Sequence, residues 1–261
     1  MNLPSSDCAS AYSRSKIRFR ILLIASALFC VSAFAVENSQ AQVIYYNNFD
    51  QYDGSRSYRG SDLDNDFNRP EWEDGVSEGR VKIDSSWQAY GNQGSSLAVK
   101  YPPGKHGTKN TGAQWKMEFD QKYEEVYLTY SVKFKRGFDF VKGGKLPGLA
   151  GGTSPTGTTA ATGTNGWAAR MMWLTSHTGN PGSPKQKTAN AISYAKYFRS
   201  GFDQDGKDED ETFFESNGSL TKLESNKWYE ITQRIKMNRH WDDDGIIQIW
   251  IDDKLLSLIH I

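Results

Sequence analysis

The 261-residue chain has only two cysteines, Cys8 and Cys30, both within the first 41 residues. If that segment is a leader, the folded part is cysteine-free, which excludes disulfide stapling and thiol catalysis. Neither sign of charge dominates, with 31 Lys and Arg against 31 Asp and Glu. Such a balance supplies no general field for nucleic acid. A polyanion would need a local basic groove. The four histidines, His106, His177, His240 and His260, lack zinc-ligand spacing. Long amphipathic helical patterns and internal repeats are missing, and no linker interrupts residues 42–261.

One long apolar run exists, Ile21–Ala35, and it is too short for a permanent membrane anchor. It follows the basic stretch Arg14–Arg20 and ends in Ala33-Phe34-Ala35, the form of a secretory signal peptide. Residues 1–41 are therefore expected to be a signal peptide and residues 42–261 the working domain, secreted or periplasmic. No membrane contact is expected after cleavage. At the other end, Leu256–Ile261 reads LSLIHI, the translation of a transposon-end sequencing adapter, so the native C-terminus is expected to be missing.

What the chain does hold is aromatic residues (13%), 24 glycines and short alternating segments broken by turn residues. Val43–Phe49, Ser96–Tyr101, Ala113–Phe119 and Glu125–Phe134 read as strands, the last with Val126, Leu128, Tyr130, Val132 and Phe134 inward. Trp167–Leu174, Ala191–Phe198, Lys227–Asn238 and Gly245–Asp252 continue the series. This pattern predicts an all-β fold, an antiparallel jelly-roll β-sandwich whose concave sheet offers every second side chain to a groove.

Several polar residues stand out in that frame. Phe138–Gly152, FDFVKGGKLPGLAGG, opens like a strand and then reads as a tight loop holding Lys145 between a glycine pair and a proline. Arg170 shares a strand face with Ala168 and Met172 among bulky neighbours, so it must snorkel or face a polar groove. Tyr194 and Lys196 share one face of their strand and Tyr197 takes the other. Gln114 lies on a polar strand face, and His106 sits on the preceding loop. Each has a plainer interpretation: a solvated turn lysine, a structural ion pair, a buried aromatic, an exposed loop histidine. The run DQDGKDEDE offers Asp203, Asp205 and Asp208 as weak calcium candidates, but it lacks the EF-hand arrangement and reads as a solvated loop. No cofactor is expected, and a monomer is.

FDFVKGGKLPGL, followed by GWAARMMW and a tyrosine-bearing strand, resembles polysaccharide lyase family 14, which includes alginate lyases and enzymes acting on related uronic-acid polymers. YPPGKHGTKNTGAQW is similar to the segment before that family's sheet. The resemblance implies a jelly-roll and a metal-free β-elimination on an anionic polysaccharide. It assigns Lys145 and Arg170 to the substrate carboxylate, and Tyr194 is the preferred group for proton transfer; strand face and residue type add Gln114, Lys196, Tyr197 and His106 as substrate-binding candidates, His106 also as a possible base. Two positions depart from it. The family usually has serine where this chain has Ala168, and a second tyrosine where it has Lys196. The alternative is a non-catalytic carbohydrate-binding protein on the same fold. A glycoside hydrolase ranks last, because no E-x-D-x-E-type strand supplies its two carboxylates.

Overall fold

A computed structural model describes residues 19–23, 42–85, 94–156, 159–180, 182–197, 208–212, 220–239, 242 and 244–260. Along the chain the strands are β1 (Phe19–Leu23), β2 (Gln42–Asn47) and β3 (Arg56–Ser57), then helix α1 (Gly60–Asp66). There follow β4 (Glu73–Asp74), β5 (Val81–Asp84), β6 (Ser96–Val99), β7 (Gln114–Trp115) and β8 (Glu125–Lys133). The rest are β9 (Gly143–Gly152), β10 (Gly166–Leu174), β11 (Thr188–Lys196), β12 (Asp208–Thr212), β13 (Lys222–Glu224), β14 (Trp228–Lys236), β15 (Ile246–Ile251) and β16 (Lys254–His260). Two compact units result, and residues 48–119 and 120–261 supply most of each.

The first unit is small. It holds the sheets β3-β5-β6 and β4-β7 and the helix α1, whose only buried apolar side chain is Leu63. Asp66 at the end of α1 accepts hydrogen bonds from the hydroxyls of Tyr58 (2.6 Å) and Tyr52 (2.8 Å). Arg80 is buried and donates to three carbonyls, Thr108 (2.7 Å), Gly112 (2.9 Å) and Lys109 (3.1 Å). One guanidinium thus braces the loop that carries His106. The expected strand Ala113–Phe119 is cut to the two residues of β7.

The second unit is an antiparallel β-sandwich. One sheet runs β16-β15-β14-β8-β1-β2, and the other runs β12-β11-β10-β9 with β13 beside β11. β1, which spans the join between the basic stretch and the apolar run, pairs with both β2 and β8. β16 pairs along β15 through a two-residue turn, Asp252-Asp253, with φ of 51° and 64°. That left-handed pair is the hairpin turn that matches strand twist. Alternation does its ordinary work in β14, where Tyr229, Ile231, Gln233 and Ile235 are buried and the residues between them are half-exposed.

Gln233 breaks the apolar rule in that stripe. It lies across from Leu128 on β8 and Ile249 on β15, both buried, and is 1% exposed. Neither its amide nitrogen nor its amide oxygen has a hydrogen-bond partner among the described residues. An unsatisfied buried polar group costs about 1–3 kcal/mol. Gln233→Leu is therefore expected to raise the melting temperature by roughly 2–6 °C, read by thermal unfolding. An unchanged or lower midpoint would show that the amide is satisfied.

Candidate active site

The candidate groups meet on the β9-β10-β11 sheet, and a register fault in β9 is what brings them together. Arg170 stands opposite Gly148, but Met172 stands opposite Lys145, so three steps on β9 match two on β10. The extra residue falls in Leu146-Pro147. β9 is an edge strand, and a proline, having no N–H for the ladder, fits a bulge at an edge. In a regular strand Lys145 and Gly148 would face opposite ways. The bulge turns Lys145 onto the face of Met172 and Arg170. Sequence reading assigned this lysine to a tight loop. It is instead in a strand, and the proline reshapes that strand rather than ending it.

The glycines of β9 make room for the side chains of β10. A Cβ on Gly148 would lie 2.4 Å from the Cβ of Arg170, and one on Gly151 would lie 2.5 Å from the indole nitrogen of Trp167. A Cβ on Gly144 would fall 2.0 Å from the Trp173 ring. Trp173 belongs to an aromatic cluster with Phe134 (5.3 Å, edge-on) and Phe138 (6.0 Å), closed by Phe140 at 4.7 Å from Phe134. With its ring wedged there, Trp173 cannot retreat. Gly144→Ala is expected to lower the melting temperature by roughly 3–8 °C through overpacking, measured by thermal unfolding.

β11 completes the face. Tyr194 stands directly opposite Arg170, and directly opposed residues share a side of the sheet. The Lys145 ammonium lies 4.3 Å from the centre of the Tyr194 ring. That is a cation–π contact. Tyr194 is 7% exposed and Lys145 is exposed, so the cation caps a buried phenol. Arg170 is half-buried, and its Nε has no hydrogen-bond partner among the described residues. Burial holds its guanidinium below the usual arginine range, and the neighbouring Tyr194 offsets part of that effect. An arginine whose Nε–H has no acceptor keeps one donor for an anion.

Lys196, 3% exposed, stands directly opposite Ala168. The two departures from the family pattern are therefore a single cross-strand pair, in which the small Ala168 leaves room for the long stem of Lys196. Tyr197 follows the end of β11 and is half-buried. Gln114, on β7, and His106 belong to the first unit, apart from this sheet in the chain's division. Asp208 opens β12, paired in register with Lys196 where a solvated loop was expected. Asp203 and Asp205 lie outside the described residues. Among the described residues no group of three His, Cys, Asp or Glu could hold a metal ion.

Sequence reading missed the Lys145–Tyr194 contact and the role of Met172 as the register partner of Lys145. A proline two residues past a lysine in a glycine-rich edge segment was the available signal for the bulge.

The family model for polysaccharide lyase 14 matches residues 90–260. Among solved structures, alginate lyase Aly36B is similar at 22% identity and a TM-score of 0.59, over 82% of this chain and 76% of that one. A doubly substituted form of it, solved with an alginate tetrasaccharide, gives 21% identity and a TM-score of 0.61 over the same shares. A marine alginate lyase of the same family from Aplysia kurodai gives 19% and 0.52, over 78% of each chain. These likenesses carry the fold. No curated protein matches the sequence.

Proposed function

Because the chain belongs to polysaccharide lyase family 14, we propose that it cleaves a uronic-acid polysaccharide, alginate or a glucuronan-like polymer, by β-elimination. The observation that carries this reading is the convergence of Lys145, Arg170 and Tyr194 on one sheet face, two cations around one phenol. Solved relatives that hold alginate oligosaccharides support an anionic substrate.

The C5 proton of a uronate is only weakly acidic while the adjacent carboxylate keeps its negative charge. Arg170, with a donor edge to spare, and Lys145 take up that charge, including the part that develops as the proton leaves. The C5–H bond breaks and its proton passes to a base. The electron pair forms the C4–C5 double bond, the C4–O4 bond breaks, and O4 receives a proton. Tyr194, set between the cations, is the group for these transfers. No oxidant, reductant or cofactor enters the balance. Gln114, His106, Lys196 and Tyr197 are further substrate contacts in this proposal, and export through the leader would deliver the enzyme to extracellular or periplasmic polymer.

The test is incubation of the purified protein with alginate, polyglucuronate and related uronans while following ultraviolet absorbance of the unsaturated product. Rising absorbance supports elimination and its substrate preference names the uronan. New reducing ends without absorbance would mean hydrolysis, and binding with neither would mean a carbohydrate-binding protein.

A further inference from the structure

Charge is balanced over the whole sequence but not along it. Between Asp84 and Glu118 there is no Asp or Glu, while Lys100, Lys105, Lys109 and Lys116 all fall in that stretch. Lys100, Lys105 and Lys109 sit on the connection from β6 to β7 in the first unit, and all three are exposed. Lys82, also exposed, joins them from β5. It pairs with Ala98 on β6, so Lys100, two residues further on, is its diagonal neighbour on one sheet face. None of Lys82, Lys100, Lys105 and Lys109 makes a side-chain hydrogen bond or an ion pair among the described residues.

These lysines stand on a fixed frame. The buried Arg80 grips one limb of the loop through the carbonyls of Thr108, Lys109 and Gly112. Its carboxylate neighbour, Glu78, lies 3.7 Å away, and the other Glu78 oxygen accepts the Gly75 N–H at 2.6 Å. Backbone bonds close the loop at its base: the Lys100 N–H donates to the Arg80 carbonyl at 2.9 Å, and the Gly112 N–H donates to the Lys100 carbonyl at 3.1 Å. At the tip, the N–H groups of Asn110 and Thr111 both reach the Gly107 carbonyl at 3.0 Å. A ligand therefore meets cations whose backbone positions are set in advance, and binding costs only the freedom of their side chains.

We propose that Lys82, Lys100, Lys105 and Lys109 form a second polyanion-binding site, in the first unit, which tethers the substrate polysaccharide. The inference rests on the proposed function for its ligand class. Charge complementarity selects the occupant, since a uronan carries a carboxylate on each acidic ring and this surface carries cations without local counter-charges. Tyr101 adds a flat apolar face beside Lys100. It is exposed, and a Cβ on Gly112 would lie 3.0 Å from its ring. An aromatic face next to a cation suits a pyranose bearing a carboxylate. The tether acts through effective concentration: a bound polymer keeps further cleavable units near the enzyme, whereas a trisaccharide held at one site gains nothing at another.

The experiment uses the full chain and the quadruple variant K82Q/K100Q/K105Q/K109Q, which leaves Arg80 and His106 in place. All four side chains are exposed, so its unfolding midpoint should match the parent's. In the active enzyme, KM for long-chain alginate or polyglucuronate, whichever is cleaved, should rise roughly three- to tenfold at low salt with kcat unchanged. The rise should shrink at high salt and be absent on a trisaccharide. In a second arm the same four changes are made in K145A, and migration is followed through gels containing either polymer. Retardation of K145A that is lost in the combined variant supports the tether even where no uronan is cleaved. Cleavage with unchanged KM and unchanged retardation removes the tether and leaves the catalytic reading standing. An equal rise in KM on trisaccharide and polymer would also overturn the proposal, as would retardation of K145A by double-stranded DNA and by neither uronan.

Discussion

Lys145→Ala is expected to lower kcat/KM on the cleaved uronan by roughly a hundred- to a thousand-fold, the loss seen when one donor to a developing negative charge is removed. The loss should fall on kcat more than on KM, since charge at the reacting carbon grows only as the proton departs. Stability should barely move. Lys145 is exposed, and its partner ring Tyr194 stays packed from the other side by its own strand. Lys145→Arg is the sharper companion. It keeps the charge but exchanges a compact ammonium for a broad planar group, with Tyr194 only 4.3 Å from the original nitrogen. Partial activity in Lys145→Arg with none in Lys145→Ala would assign the role to charge. Full activity in Lys145→Ala, with an unchanged unfolding midpoint, would remove the lysine from the reaction.

The architecture was readable because it rests on period-two patterns. β8, β10, β14 and β15 lie close to where the strand pattern placed them, while β11 (Thr188–Lys196) overlaps the expected Ala191–Phe198 but starts three residues earlier and ends two earlier. What alternation cannot show is a bulge, because one inserted residue reverses every face beyond it. Hence Lys145 was found by residue type and its glycine setting, while its shared face with Arg170 emerged only from the register of β9 against β10. Helix α1 escaped notice for another reason. Seven residues with a single buried apolar side chain carry too little periodicity to register, and the helix is held by side-chain contacts, Arg56 on Asp62 in its first turn and Tyr52 and Tyr58 on Asp66 at its end. Ala168 and Lys196 were visible singly as departures, but only the β10–β11 register makes them one pair.

Tyr194→Phe is expected to be nearly as damaging as loss of the lysine, cutting kcat by about a hundred- to ten-thousand-fold, the range for removing a positioned proton-transfer group. The change takes away one hydroxyl and keeps the ring. The ring remains under Lys145 for the cation–π contact and remains opposite Arg170 in the register. KM should therefore hold within a few-fold and the unfolding midpoint within a degree or two, so that the loss can be read as chemistry rather than collapse. Arg170 offers the internal contrast. Arg170→Lys keeps a positive charge but loses the planar two-pronged edge, and so weakens binding and turnover together. If Tyr194→Phe retained full turnover while Arg170→Lys lost it, proton transfer would belong to another group on this face, and the two cations would be left as the whole of the site's contribution to the elimination.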